Sequence, residues 1–98
     1  MNQYMVEVWL PDEFSAEMMA LVPRQRMIVN HLMRKGRLRS YTLSGDRRRL
    51  WLVVLANEPT EIDRLISAFP LAPYMTYETQ QLMFHNSIGE QLPSISLN

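Results

Sequence analysis

Hydrophobic and polar residues alternate with a period of two along several stretches of the chain. Residues 3–10 are the clearest case and stop at Pro11, with Tyr4, Val6, Val8 and Leu10 on one side and Met5, Glu7 and Trp9 on the other. This alternation predicts a strand. Residues 37–44 and 49–56 predict two more strands, joined by a hairpin turn at residues 44–47. The second of them is almost continuously apolar, which is typical of a central strand.

Two other stretches repeat their apolar residues at helical spacing. The first begins after Asp12 or Ser15, either of which can cap a helix, and runs to about Lys35 before Gly36. Pro23 lies inside it and is expected to kink or break the helix, because it lacks a backbone donor. The second helix is predicted to open at residues 57–59, and its apolar positions are Ile62, Leu65, Ile66 and Phe69.

Residues 69–86 leave this second helix, turn on two prolines and enter a final strand. Large apolar residues occur at both odd and even positions here, which predicts a strand with both faces covered. A small domain covers one face of its sheet with its own helices, so the other face needs a partner. Residues 1–88 are therefore expected to form one domain, and residues 89–98 an extended tail that packs on a neighbouring subunit.

The predicted order of elements is strand, helix, strand, strand, helix, strand. This order is typical of an α+β, ferredoxin-like split βαβ fold, with an antiparallel sheet and both helices on one face. Glu7 and Trp9 then lie on the uncovered face if Val6 and Val8 face the helices. Two such sheets packed face to face would cover that surface, so we expect a dimeric α+β barrel.

Composition excludes several kinds of function. Ten basic and ten acidic residues give no net charge, so neither nucleic acid nor an anionic membrane is an expected partner. No cysteine is present, which excludes disulfides and thiolate metal sites. No signal peptide or membrane-spanning run is recognisable, so a cytoplasmic location is expected. The arginines at 37, 39 and 47–49 are expected to form a solvent-exposed face with local salt bridges. The alternative is that one of them, such as Arg39, points inward and binds a carboxylate.

Glu7 is the best acid–base candidate on a strand, because its neighbours are apolar and burial favours the protonated acid. The alternative is that it pairs with Arg39 or Arg49 across the sheet. Trp9, Tyr41 and Trp51 could form a flat apolar wall for a ring-shaped ligand, although aromatic residues in strands more often belong to the core. His31 is expected at the surface.

Five segments resemble the muconolactone isomerase family: MVEVWLP at 5–11, LMRKG at 32–36, DRRRLW at 46–51, FPLAPYM at 69–75 and FHN at 84–86. The resemblance extends over about residues 3–88. It implies a ferredoxin-like subunit that dimerises and builds rings of up to ten subunits. It also implies an enzyme of aromatic catabolism, without metal or cofactor, that moves a proton across the allylic system of a small unsaturated lactone carrying a carboxymethyl group.

That chemistry needs an acid–base group, a cation for the substrate carboxylate and donors that stabilise a dienolate. By the resemblance, Arg26 or Arg24 holds the carboxylate, Glu7 or His85 moves the proton, and Tyr74 stabilises the developing oxygen charge. For His85, a structural hydrogen bond at a subunit interface is the alternative.

The first helix departs from the family pattern, in which isomerases have acidic and lysine residues near its middle. Residues 23–27 of this chain read PRQRM, and the Gln25 amide cannot act as a general base. Positive charge is kept by Arg24 and Arg26. Two alternatives to an isomerase therefore stay open: a non-catalytic small-molecule-binding or assembly module of the same fold, and a cofactor-free monooxygenase.

Overall fold

A computed structural model describes residues 1–88, and its strands and helices follow one another in the predicted order. The elements are β1 (Asn2–Trp9), α1 (Ala16–Arg34), β2 (Leu38–Leu43), β3 (Arg49–Ala56), α2 (Pro59–Ser67) and β4 (Thr76–Leu82), with a short 3₁₀ turn (Ala72–Tyr74) before β4. The tail predicted for residues 89–98 lies outside the described residues.

The strands form one antiparallel sheet in the order β2-β3-β1-β4. Its two long central strands pair along their whole length, from Asn2 opposite Ala56 to Trp9 opposite Arg49. The element order and antiparallel pairing confirm the predicted α+β split βαβ fold.

The core lies between the sheet and the two helices. The strands contribute every second residue to it, including Tyr4, Val6, Val8, Leu50, Leu52 and Val54. The helices contribute Met18, Val29, Ile62, Leu65 and Ile66, and Phe69 closes one end. Since each fully buried aliphatic side chain contributes roughly 1.5–3 kcal/mol, this layer supplies most of the stabilising burial.

The first helix begins and ends as expected but is not interrupted. The Ser15 hydroxyl accepts a hydrogen bond from the Met18 N–H at 3.1 Å. At the other end Gly36 has φ +76°, and the amides of Gly36 and Arg37 donate to Met33 and Leu32. Of the kink or break predicted at Pro23, the break is wrong, because α1 runs through this residue as one helix. Pro23 is exposed, so water can donate to the Met19 carbonyl in place of the N–H that proline lacks.

The hairpin between β2 and β3 is held by its own side chains. Asp46 Oδ1 accepts hydrogen bonds from the Ser44 hydroxyl at 2.6 Å and from the Arg48 amide at 3.0 Å. These two bonds, the first above all, lower the pKa of Asp46. Arg47 takes the left-handed conformation, with φ +64°.

Neither α1 nor α2 lies on the other side of the sheet, which is called the open face. Its residues are Gln3, Met5, Glu7, Trp9, Ser40, Thr42, Arg49, Trp51, Val53, Leu55, Thr76, Glu78, Gln80 and Leu82. Glu7 and Trp9 are on it, as predicted. The expectation of large apolar residues on both faces of the last strand is wrong in detail, because β4 spans only Thr76–Leu82 and Leu82 is its one apolar side chain on this face. The apolar part of the open face comes instead from β1 and β3.

None of the helices within residues 1–88 is both long enough and apolar enough to cross a membrane.

Candidate functional site

The register of β1 and β3 brings four side chains together on the open face. Glu7 lies opposite Trp51, and Trp9 lies opposite Arg49. Arg49 Nη1 donates to Glu7 Oε2 at 3.0 Å, and Trp51 Nε1 donates to the same oxygen at 3.4 Å. The Arg49 guanidinium carbon stands 5.6 Å from the centre of the Trp9 ring, within cation–π range. These four residues, Glu7, Trp9, Arg49 and Trp51, are called the open-face cluster.

The ion pair in this cluster is accessible to solvent. The side chains of Arg49 and Glu7 are 49% and 32% exposed, so their attraction contributes at most about 1 kcal/mol. Arg49 lines a cavity of about 470 Å³ together with Trp9, Trp51, Arg48 and the carboxylates Asp12 and Asp46. Glu7 is not a lining residue, but it contacts two of them, Arg49 and Trp51. A weakly held carboxylate and guanidinium beside a cavity can exchange partners with an incoming ligand.

A second cavity, called the helix-side cleft, lies on the opposite side of the sheet, between α1 and β2. Its volume is about 320 Å³, and its lining residues are Arg26, Val29, Asn30, Met33 and Tyr41. Burial raises the pKa of the Tyr41 phenol, and the Gln25 side chain opposes this in part. The neutral phenol of Tyr41 is a potential hydrogen-bond donor on the wall of this cleft.

Gln25 lies behind this cleft and is only 3% exposed. Its Oε1 accepts a hydrogen bond from the Leu71 amide at 3.2 Å, which joins α1 to the turn before β4. Its Nε2 is buried and has no partner at hydrogen-bonding geometry among residues 1–88. The Gln25 side chain also lies close enough to Tyr41 to lower the pKa of its phenol, although burial raises that pKa by more.

Comparison with known proteins identifies the family. A family model described as muconolactone delta-isomerase matches residues 3–88. The chain belongs to this family. A crystal structure of muconolactone isomerase at 3.3 Å resolution also superposes with a TM-score of 0.69 at 23% identity, covering 88% of this chain and 94% of that one. The superposition shows the shared fold. A search of curated protein sequences found no match.

The resemblance to muconolactone isomerases implied catalytic roles for Glu7, His85 and Tyr74. The structure does not bring these three side chains together. Tyr74 is in the 3₁₀ turn before β4 and packs against the core, while His85 follows the end of β4. The seven residues of β4 separate them by roughly 23 Å. Glu7 lies between these two ends on the open face, where its partner is Arg49.

The predicted substrate-binding residues divide between the two faces. Arg26 lines the helix-side cleft and Arg24 is exposed on α1, so both lie across the sheet from Glu7. The single aromatic wall predicted from Trp9, Tyr41 and Trp51 is not formed, because Tyr41 is on the helix side.

A bulge in β2 explains the position of Tyr41. Leu38 pairs with Val54 but Ser40 pairs with Val53, so Arg39 is an additional residue in this strand. If these residues paired regularly from Leu38 onward, with no bulge, Tyr41 would lie opposite Trp51 on the open face. One inserted residue moves all later side chains of a strand to the other face.

Sequence analysis named Arg49 only as one of two alternative partners of Glu7, and the structure shows this pair. It did not name Gln25 as a site residue. The register of β1 and β3 places Glu7 and Arg49 on one face, and that register is not visible from either strand alone. For Gln25 a signal existed: it is spaced seven residues after Met18 and four before Val29, so it occupies a position of the buried stripe of α1.

Proposed function

We propose that the chain is a cofactor-independent isomerase of the muconolactone type, which shifts a proton within a small carboxylated unsaturated lactone of aromatic catabolism. The proposed location is the cytoplasm. Family membership supports the class of substrate. The observation that carries the proposal is the Glu7–Arg49 pair beside a cavity with indole walls, because it combines an acid–base group with a cation for a carboxylate.

In this proposal the substrate carboxylate takes the place of Glu7 on Arg49. The guanidinium can bind a carboxylate through two parallel hydrogen bonds, whereas it gives Glu7 only one at 3.0 Å. Displaced from Arg49, Glu7 keeps the Trp51 N–H as a donor that orients it. In this proposal Arg49, rather than Arg26, binds the substrate carboxylate, because Arg26 lies on the other side of the sheet from Glu7.

Glu7 then removes a proton from the allylic ring carbon, which is the carbon attached to the C=C bond. The C–H bond breaks, a dienolate forms, and the same carboxylic acid returns the proton to the far end of the allylic system. The double bond moves and no atom or electron is gained or lost, so the step itself requires no redox partner. The carboxylate and the bound ring remain close throughout, which favours a single-base shuttle.

The decisive experiment measures isomerisation of muconolactone by ultraviolet absorbance and by proton exchange in heavy water. Glu7→Gln is expected to lower kcat by roughly 100-fold or more, because general acid–base catalysis is lost. Arg49→Gln is expected mainly to raise KM. Glu78→Gln is the matched control, since Glu78 lies opposite Glu7 on β4 and faces the same side. Wild-type turnover in Glu7→Gln, or an equal loss in Glu78→Gln, would contradict the assignment.

We also propose that the open face is covered by a second copy of the chain, with larger rings of up to ten subunits as the family resemblance implies. Met5, Trp9, Trp51 and Leu55 place partly exposed apolar area on this face, which neither α1 nor α2 covers. A dimer would enclose the open-face cluster and reduce the access of water to Glu7 and Arg49.

A second candidate is a binding protein without catalysis. It is favoured by the helix-side cleft, whose lining residues in the described chain include Arg26 and Asn30 but no carboxylate or imidazole. In that case muconolactone binds without turnover, and Arg26→Ala weakens binding by roughly tenfold while Arg24→Ala does not. If Arg26→Ala leaves binding unchanged, this candidate is excluded.

Gln25 offers a further test of the second candidate. Gln25→Glu would place a carboxylate beside Tyr41 while keeping an acceptor for the Leu71 amide. A gain of turnover in this variant, with none in the wild type, would support a binding site that lacks only its base. Equal turnover in both proteins would favour the open-face cluster instead.

A further inference from the structure

A third cavity lies between the two helices, apart from both sites described above. Its volume is about 310 Å³, and its lining residues are Leu32 at the end of α1, Arg37 before β2, and Glu61, Arg64 and Leu65 of α2. We call it the inter-helix cleft. It is on the helix side of the sheet, so Glu7 and Arg49 do not contribute to it.

The carboxylate of this cleft is already engaged. Glu61 Oε2 accepts a hydrogen bond from the Asn57 amide at 2.7 Å, and Oε1 accepts one from Asn57 Nδ2 at 3.4 Å. Both bonds hold the side chain back toward the start of α2. Neither Arg37 nor Arg64 forms an ion pair with a carboxylate of residues 1–88.

Arg37 is held firmly in place by the backbone around it. Its amide donates to Leu32 at 3.0 Å, its carbonyl accepts from the Leu55 amide at 2.8 Å, and its Nε donates to the Leu55 carbonyl at 3.3 Å. The two terminal nitrogens of the guanidinium remain for another acceptor. A guanidinium positioned in this way loses little conformational entropy when it binds a carboxylate.

We propose that the inter-helix cleft binds a small organic carboxylate between Arg37 and Arg64. Two guanidinium groups and one carboxylate give the cleft a formal charge of +1, and the engaged Glu61 leaves both cations available. Leu32 and Leu65 supply an apolar surface for the body of the ligand. The guanidinium fork beside an apolar surface fits a carboxylate with a short hydrocarbon or aromatic body better than it fits a bare phosphate.

The test is an NMR titration of the ¹⁵N-labelled protein with benzoate as the probe. Benzoate is expected to shift the amide signals of Leu32, Arg37, Arg64 and Leu65 together. Arg64→Ala should weaken this binding by roughly tenfold, since one of two charged hydrogen-bonding partners is lost. Arg34→Ala is the matched control, because Arg34 is an exposed arginine of the last turn of α1 that does not line the cleft. Arg64 is also exposed, so neither substitution disturbs the core.

Three results would overturn the proposal. They are the absence of shifts at the cleft, equal affinity in Arg64→Ala and wild type, and equal affinity for inorganic phosphate, which would indicate only a pair of exposed cations. The titration is repeated in Arg49→Gln, which removes the carboxylate-binding cation of the open-face cluster. Cleft shifts that persist in this variant belong to the inter-helix cleft whether or not the isomerase proposal holds.

Discussion

At the scale of single residues, one hydrogen bond joins the edge strand β4 to α2. The Tyr77 hydroxyl donates to Asp63 Oδ1 at 2.6 Å. This bond raises the pKa of Tyr77 to about 12, with smaller contributions from burial and from the charge of Asp63. The ordinary phenol pKa is 10.0, so the folded protein favours the protonated form. The pair therefore makes a contribution to stability that depends on pH.

The sign of this dependence is testable with Tyr77→Phe. The raised pKa means that the contribution is fully present below about pH 10 and is lost as pH rises toward about 12. At neutral pH the variant should be less stable by about 1 kcal/mol, a value kept small because the pair is near the surface. Urea unfolding of both proteins at several pH values measures this. A difference that does not shrink between about pH 10 and 12 would contradict the argument.

At the scale of elements, α1 tolerates a proline in its interior. Pro23 cannot donate to Met19 four residues earlier, yet the helix is continuous from Ala16 to Arg34. Packing explains this, because Met18, Gln25 and Val29 are buried on the sheet side of the same helix. The loss of one exposed backbone hydrogen bond is smaller than the free energy of that burial.

Replacing this proline should stabilise the protein. Pro23→Ala restores the donor and removes the steric conflict, which in a helix interior is worth up to about 3 kcal/mol. The greater freedom of the unfolded alanine chain offsets about 0.4–1 kcal/mol of this. We expect a net gain of about 1–2 kcal/mol in the free energy of unfolding. Arg24→Ala, one residue later and also exposed, should change it by less than about 0.5 kcal/mol. A loss of stability in Pro23→Ala would mean that the proline sets a helix shape that the core requires.

At the scale of the whole molecule, the sheet has one covered and one open face. The helix side is closed by α1 and α2, whereas the open face combines charged and aromatic side chains with Met5, Val53 and Leu55. This asymmetry supports the proposed second copy, which would change the environment of Glu7 by covering it.

The proposed dimer is tested by a charge on the open face. Met5→Lys, in the central strand β1, should convert the assembly to monomer and lower isomerase activity, because a buried unpaired ammonium is costly at an interface. Leu43→Lys is the control, since Leu43 is 48% exposed and lies on the other side of the sheet. Sedimentation velocity measures both variants. A wild-type monomer, or an unchanged oligomer in Met5→Lys, would exclude an interface through this face.

Most of the fold follows from local pattern. The alternation in residues 3–10 and 49–56 and the helical spacing of Ile62, Leu65 and Ile66 place the same residues in the core that the structure buries. The candidate site is less predictable, because its members come from different strands. Glu7 and Trp51 meet only through the β1–β3 register.

The sequence by itself determined the order of the elements, the buried residues of β1 and α2 and the family, because periodicity and turn residues act over a few neighbouring positions. Tertiary structure decided three things: that Arg49 is the partner of Glu7, that a bulge at Arg39 sends Tyr41 to the helix side, and that Gln25 is buried against Leu71. Each depends on pairing between segments far apart in the chain, and a shift of one residue in that pairing reverses the face of every side chain beyond it.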